Sequence, residues 1–177
     1  MRILLKILAW LAGLIVVLTL VAFLLPRQVT VERSVMIKAT PDQIFPQINS
    51  LKANNNWSPW LSRDPEIKLT FEGPDSGVGN KMSWQSDHPQ VGNGAQEIVA
   101  SVENQRVDLK LDFGPKGGAD AYFLLAPEGD ETQVTWGFET DMGRNPIGRW
   151  MGLMMDKWIG ADYEAGLANL KALVEDG

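Results

Sequence analysis

NPIGRWMGLMMDKWIGADYEAGLANLKALVE, residues 145–175, is the stretch that decides the fold of this chain. Asn145 followed by Pro146 is a good N-cap and first-turn pair, because the asparagine oxygen can accept from free amides and proline has no amide to leave unpaired. Beyond it Ile147, Trp150, Met151, Met154, Met155, Trp158, Ile159, Leu167, Leu170 and Leu173 recur at three- and four-residue steps. That period predicts one long amphipathic helix to about Val174, with Gly160 as a candidate kink. A single helix cannot bury such a face by itself, so the rest of the chain must supply a broad apolar partner.

Upstream the period changes to two. Val29, Val31, Val35 and Ile37 alternate in a first strand. Thr40-Pro41-Asp42-Gln43 then opens a short helix over Pro41 to about Ile48, with Ile44 and Phe45 toward the core. Leu51 to Trp57 reads as one or two helical turns, closed by Ser58-Pro59. Six more segments follow, with apolar faces predicted at Ile67, Leu69 and Phe71; Met82 and Trp84; Ile98, Ala100 and Val102; Val107, Leu109, Leu111 and Phe113; Tyr122 and Leu124; and Val134, Trp136 and Phe138. Turn residues such as Gly73-Pro74-Asp75, Asp87-His88-Pro89 and Glu128-Gly129-Asp130 separate them, and connections this short imply antiparallel neighbours. The expected architecture is α+β: a curved seven-stranded antiparallel sheet wrapped around the C-terminal helix.

The N-terminus is different in kind. Ile7 to Pro26 contains no charge, and at about 1.5 Å per residue it reaches about 30 Å, the thickness of a bilayer's hydrocarbon core. A cleaved signal peptide would carry a shorter apolar run and a small-x-small exit, whereas this run ends in Phe-Leu-Leu-Pro-Arg. Residues 1–27 therefore read as a single-pass transmembrane anchor and 28–177 as the globular domain. A very short basic N-terminus, here Arg2 and Lys6, usually stays cytoplasmic, which points the domain to the other side. With so few residues between Pro26 and the first strand, the domain must sit close to the bilayer.

Composition excludes several functions. The chain has 177 residues and no cysteine, so disulfides and thiolate chemistry are absent. Without Arg2 and Lys6, its 16 basic side chains fall to 14 against 22 acidic ones, a net −8 with no basic cluster, which argues against nucleic acid as a partner.

Four stretches, VERSVMIKATPDQIF (31–45), NNWSPW (55–60), FEGPDSGVGNKMSW (71–84) and MGLMMDKWIGADYEAGLANLKALVE (151–175), resemble the START-like (SRPBCC) superfamily, specifically its polyketide cyclase/dehydratase-like branch of bacterial proteins. The resemblance covers about Thr30 to Val174. It implies a helix-grip fold whose cavity, between the concave sheet and the last helix, takes lipids, sterols, polyketides or other apolar ligands in relatives. For a bacterial relative with this anchor, the expected address is the inner membrane, with the domain on the extracytoplasmic side. The enzymatic relatives draw catalytic groups from differing positions, so no catalytic residue transfers.

The residues give little sign of chemistry. His88, the only histidine, lies in a loop before proline, with no partner legible for a triad. No ligand set for a metal is apparent, and no cofactor is expected. Gly77-Val78-Gly79 precedes a strand and reads as a turn, not a phosphate loop. Glu139 and Asp141 could serve as acid and base, but capping and ion pairing account for them more simply. What rises above this background is seven tryptophans and seven methionines. Flat rings and flexible thioethers suit an adaptable apolar cavity as well as a packed core. Trp60, Phe71, Trp84, Tyr122, Trp136, Phe138, Met151, Met154, Met155 and Trp158 are the candidate cavity residues. The expected function is a membrane-anchored domain binding a hydrophobic small molecule or lipid. A cyclase- or dehydratase-type enzyme and a partner-binding module with a filled cavity are the alternatives.

Overall fold

The computed structural model describes residues 2–61 and 63–176. Helix α1 (Arg2–Ala22) leads into strand β1 (Gln28–Ile37), the short helices α2 (Pro41–Ile48) and α3 (Leu51–Asn54), strands β2 (Lys68–Glu72), β3 (Lys81–Gln85), β4 (Gly94–Val102), β5 (Arg106–Asp112), β6 (Gly118–Glu128) and β7 (Glu131–Asp141), and helix α4 (Pro146–Asp176). The strands form one antiparallel sheet in the order β1-β7-β6-β5-β4-β3-β2. Sequential strands are neighbours, as the short turns require, and only β1 crosses over to pair with β7. The predicted helix-grip architecture is the observed one.

Local signals account for the element ends. Asn145 Oδ1 accepts from the amides of Ile147 and Gly148 at 3.0 and 3.3 Å, which caps α4. Gln43 reaches back to the Thr40 amide at 3.0 Å, as a capping box does. Ile44, Phe45 and Ile48 of α2 are buried, and Trp57, 1% exposed, donates its indole N–H to the Gln47 carbonyl at 3.1 Å.

Helix α4 lies across the concave face of the sheet and runs unbroken through Gly160. Gly160 marks a close approach, not a kink: a Cβ there would overlap the guanidinium of Arg33 on β1. Arg33 sits opposite Trp136 on the inner face and reaches Asp156 at 2.9 Å and Glu164 at 2.6 Å, one helical turn either side of the glycine. Near the far end of α4, Lys171 donates to the Met36 carbonyl at 2.6 Å, and Glu175 accepts from the Lys38 amide at 2.7 Å. These bonds occupy backbone groups of the edge strand that would otherwise be open to pairing.

Two strand faces differ from the expectation. In β4 the pairing with β5 shifts between Ile98 and Ala100, so Ile98 is buried while Val99 and Val102 are exposed. Ser101, not Ala100 or Val102, then comes opposite buried Val107, with its hydroxyl on Asn49 at 2.8 Å. A bulge adds one residue and reverses every face beyond it, which strict alternation cannot anticipate. In β6 the inner residues are Ala121, Phe123 and Leu125, because Phe123 pairs with Trp136 and Ala121 with Phe138. Tyr122 and Leu124 occupy the opposite face. There the Tyr122 ring covers Gly137, where a Cβ would overlap it, and its hydroxyl bonds Glu32.

Helix α1 is long and apolar enough to cross a membrane, and its apolar window is not buried inside the protein. The segment that follows it is fastened to the domain. Arg27 pairs with Asp141 through two contacts of 2.6 Å, and Arg149 donates to the Phe23 and Leu25 carbonyls at 3.0 and 3.3 Å.

Candidate functional site

The candidate site grows from an aromatic cluster at the centre of the grip. Trp136 on β7 lies against Tyr163 on α4, and Trp57, Trp60 and Phe123 surround that pair. Rings this large meet edge to face without filling every gap. A cavity of about 290 Å³ opens beside them. Leu109, Leu111, Ala121, Phe123, Trp136 and Phe138 of the sheet form its floor, and Met155, Ile159 and Tyr163 of α4 form its roof. Leu69, Met82 and Trp84 close the β2–β3 side, and Trp60, Leu61 and Ile67 close the segment after α3.

The walls are mostly apolar, with a polar fringe of Asn54, Asn55, Ser58, Gln90, Gln96 and Asp162. Asp162 is held by Arg63 through both carboxylate oxygens, one at 2.9 Å. Burial, with the nearby Asp162 charge second, raises the Tyr163 phenol far above the ordinary tyrosine range. It is therefore neutral at physiological pH.

Of the ten candidates read from the sequence, Trp60, Trp84, Trp136, Phe138 and Met155 are brought together around this cavity. The other five are not. Phe71 pairs with Met82 but is 39% exposed near the end of edge strand β2, outside the wall. Tyr122 lies on the far face of the sheet. Met151, Met154 and Trp158 face outward from α4, because the side of the helix toward the sheet is taken by Gly152, Met155, Ile159 and Gly160. Sequence reading missed Phe123 as a wall residue. The run Ala121-Tyr122-Phe123-Leu124-Leu125 is apolar throughout, so only its register against Trp136 tells inside from outside. Leu69, Met82, Leu109, Leu111 and Phe113 had a signal, since they alternate on predicted inner faces.

Outside the cavity, Asp64, Ser86 and His88 come together, but their wiring is that of a turn. The Ser86 hydroxyl donates to Asp64 at 2.5 Å, and the His88 backbone amide donates to Ser86 at 3.0 Å. The His88 Nδ1 accepts from the Gln90 amide at 3.3 Å, so the imidazole does not take the serine proton as a triad base would. Asp141 is likewise structural, held below the usual carboxylate range first by Arg27 and then by the Gly143 amide. A shallow groove of about 390 Å³ along β1 is lined by Arg33, Glu164, Lys171 and Glu175, which pair with one another or with Asp156. Those four side chains are already paired, so the apolar cavity is the better site.

A curved antiparallel sheet gripping a long C-terminal helix over an apolar cavity defines the helix-grip class, whose architecture supports a ligand-binding domain. The chain belongs to the family described as polyketide cyclase / dehydrase and lipid transport, which matches residues 28–175. Solved structures agree on the fold. A protein of Chromobacterium violaceum is 18% identical with a TM-score of 0.55, covering 82% of this chain and 96% of that one. A protein of Thermobifida fusca is 18% identical with a TM-score of 0.63, covering 82% and 92%. The di-domain aromatase/cyclase of the steffimycin biosynthetic pathway is 13% identical with a TM-score of 0.62, and this chain covers 51% of it. No protein of curated function matches significantly.

Proposed function

We propose that the chain is a membrane-anchored binding protein that takes a hydrophobic small molecule into the cavity between sheet and α4. The observation that carries this reading is the cavity itself, enclosed by apolar and aromatic side chains yet left unfilled by Trp60, Trp84, Trp136, Met82 and Met155 around it. Its volume lies at the small end of the range of about 300–1,000 Å³ for ligand pockets. A space of that size suits one ring system or a single chain, not a two-chain lipid. Among the described residues of its wall, Asp162 is paired with Arg63 and the Tyr163 phenol is held neutral by burial, which favours binding over acid–base catalysis. Helix α1 supports a single-pass anchor, and the basic Arg2 and Lys6 before its apolar run support an extracytoplasmic domain in a bacterial inner membrane. The anchor makes membrane-soluble compounds the most accessible ligands.

The test uses the full chain purified in detergent. Native mass spectrometry and organic extraction should recover a small apolar compound, and a fluorescent single-chain fatty acid should bind and be displaced by it. Met155→Trp, which puts a large ring into the cavity from α4, should abolish probe binding while circular dichroism stays unchanged. An empty protein, with equal probe binding by the parent and Met155→Trp, would sink the reading.

A further inference from the structure

We infer that the first three turns of α4 form a second membrane-contacting element, lying in the headgroup region of the bilayer beside the end of α1. This rests on α1 spanning the membrane. Along these turns Ile147, Trp150, Met151, Met154 and Trp158 each lie three or four residues from another of the set and so share one side of the helix. They are 69%, 37%, 48%, 48% and 47% exposed. The opposite side packs on the sheet through Gly152, Met155 and Ile159. The segment thus carries apolar side chains on two opposite sides, with Arg149, Asp156 and Lys157 between them, and the protein covers only one of those sides.

The contacts with α1 identify the occupant of the other half. The Trp150 indole N–H donates to the Leu18 carbonyl at 3.1 Å, four residues before α1 ends. That carbonyl lies about 6 Å along the axis from the helix end, which is the boundary of a hydrocarbon core that α1 just spans. Tryptophan concentrates near this level because its ring is apolar while its N–H needs a partner, which the Leu18 carbonyl supplies here. Arg149, next in sequence, places its guanidinium 5.3 Å from the Phe23 ring centre while donating to the carbonyls that follow α1. That is the position of a cation snorkelling to the headgroups. The exposed stripe starts from this junction, so a bilayer holding α1 meets it directly. A second copy or another protein would have to compete with lipid already there.

The test uses the absence of cysteine, since one introduced thiol takes a unique spin label. Labels at Met154→Cys and Trp158→Cys, with controls at Leu14→Cys in α1 and Lys110→Cys on the outer face of the sheet, are read in the full chain in phosphatidylcholine vesicles. Collisions with lipid-soluble oxygen are compared with collisions with an aqueous nickel chelate. The oxygen-to-nickel ratio at 154 and 158 should exceed that at 110 several-fold and approach that at 14. If 154 and 158 match 110 while 14 reads hydrocarbon, the docking is wrong and the anchor stands. If 14 also matches 110, both fail. Shielding of 154 and 158 from both reagents would mean that protein covers the stripe, and would overturn the docking as well.

Discussion

The Trp136 indole and the Tyr163 ring lie 3.9 Å apart between centroids and 9° from parallel, so strand β7 and the long helix meet through a stacked aromatic pair. Around it Trp57 and Trp60 stand edge-on to Trp136 at 5.3 and 5.6 Å. This cluster fixes the distance between sheet and helix, and hence the height of the cavity.

Trp136→Ala should therefore cost about 3–5 kcal/mol, the usual loss for deleting a large buried ring. Tyr163→Phe keeps the stack and should cost about 1 kcal/mol at most. Urea denaturation of the full chain in detergent, followed by circular dichroism, checks both values. Similar losses for the two variants would mean that stacking does not hold the grip.

The notch at Gly160 predicts that the effect of filling it depends on Arg33. In the parent, Gly160→Ala displaces the Arg33 guanidinium from Asp156 and Glu164, while helix propensity improves by about 1 kcal/mol, so the net effect should be near zero. With Arg33→Ala in place nothing is displaced, and the same substitution should stabilise by about 1 kcal/mol. A double-mutant cycle measures the difference, and additive effects would contradict the notch.

Both tyrosines of the chain should titrate late. Burial first, and the hydrogen bond to Glu32 second, push the Tyr122 phenol up to about 12, and burial raises Tyr163 further. The unfolded chain ionises near pH 10, so the fold favours the neutral phenols. Their contribution to stability is complete below about pH 10 and is lost as pH rises from there toward the folded values. Tyrosinate absorbance should stay low through pH 10 and then rise together with unfolding. A phenol that titrates reversibly near pH 10 in the folded protein would disprove the burial account.

Arg149 joins the two helices, so Arg149→Ala should loosen α1 from the domain without unfolding it. Trypsin should then cut after Arg27 several-fold faster, with the melting transition of the domain shifted by only a few degrees. Unchanged cleavage would show that Arg27–Asp141 and Trp150 hold the junction without it.

Much of this protein follows from the sequence by itself. The two-residue period of Val29 to Ile37, the Asn145-Pro146 cap, the three- and four-residue steps after it and the charge-free run from Ile7 to Pro26 each act over a few neighbouring residues, so strands, helices and the apolar N-terminal helix were legible one segment at a time. Resemblance to a known family supplied the idea of a cavity beneath the gripped helix. Only the tertiary structure decided which apolar residues face that cavity. Tyr122 and Phe123 are adjacent in a continuous apolar run, and strand register alone sends one outward and the other to Trp136. Val102 lost its inner place to a bulge that leaves no mark in the period. Met151, Met154 and Trp158 share a helix with Met155, but the approach of Val29 to Gly152 and of Arg33 to Gly160 sets its rotation, turning those three side chains away from the sheet. Local pattern determines that a side chain must leave water; the packing of one element on another determines where it goes.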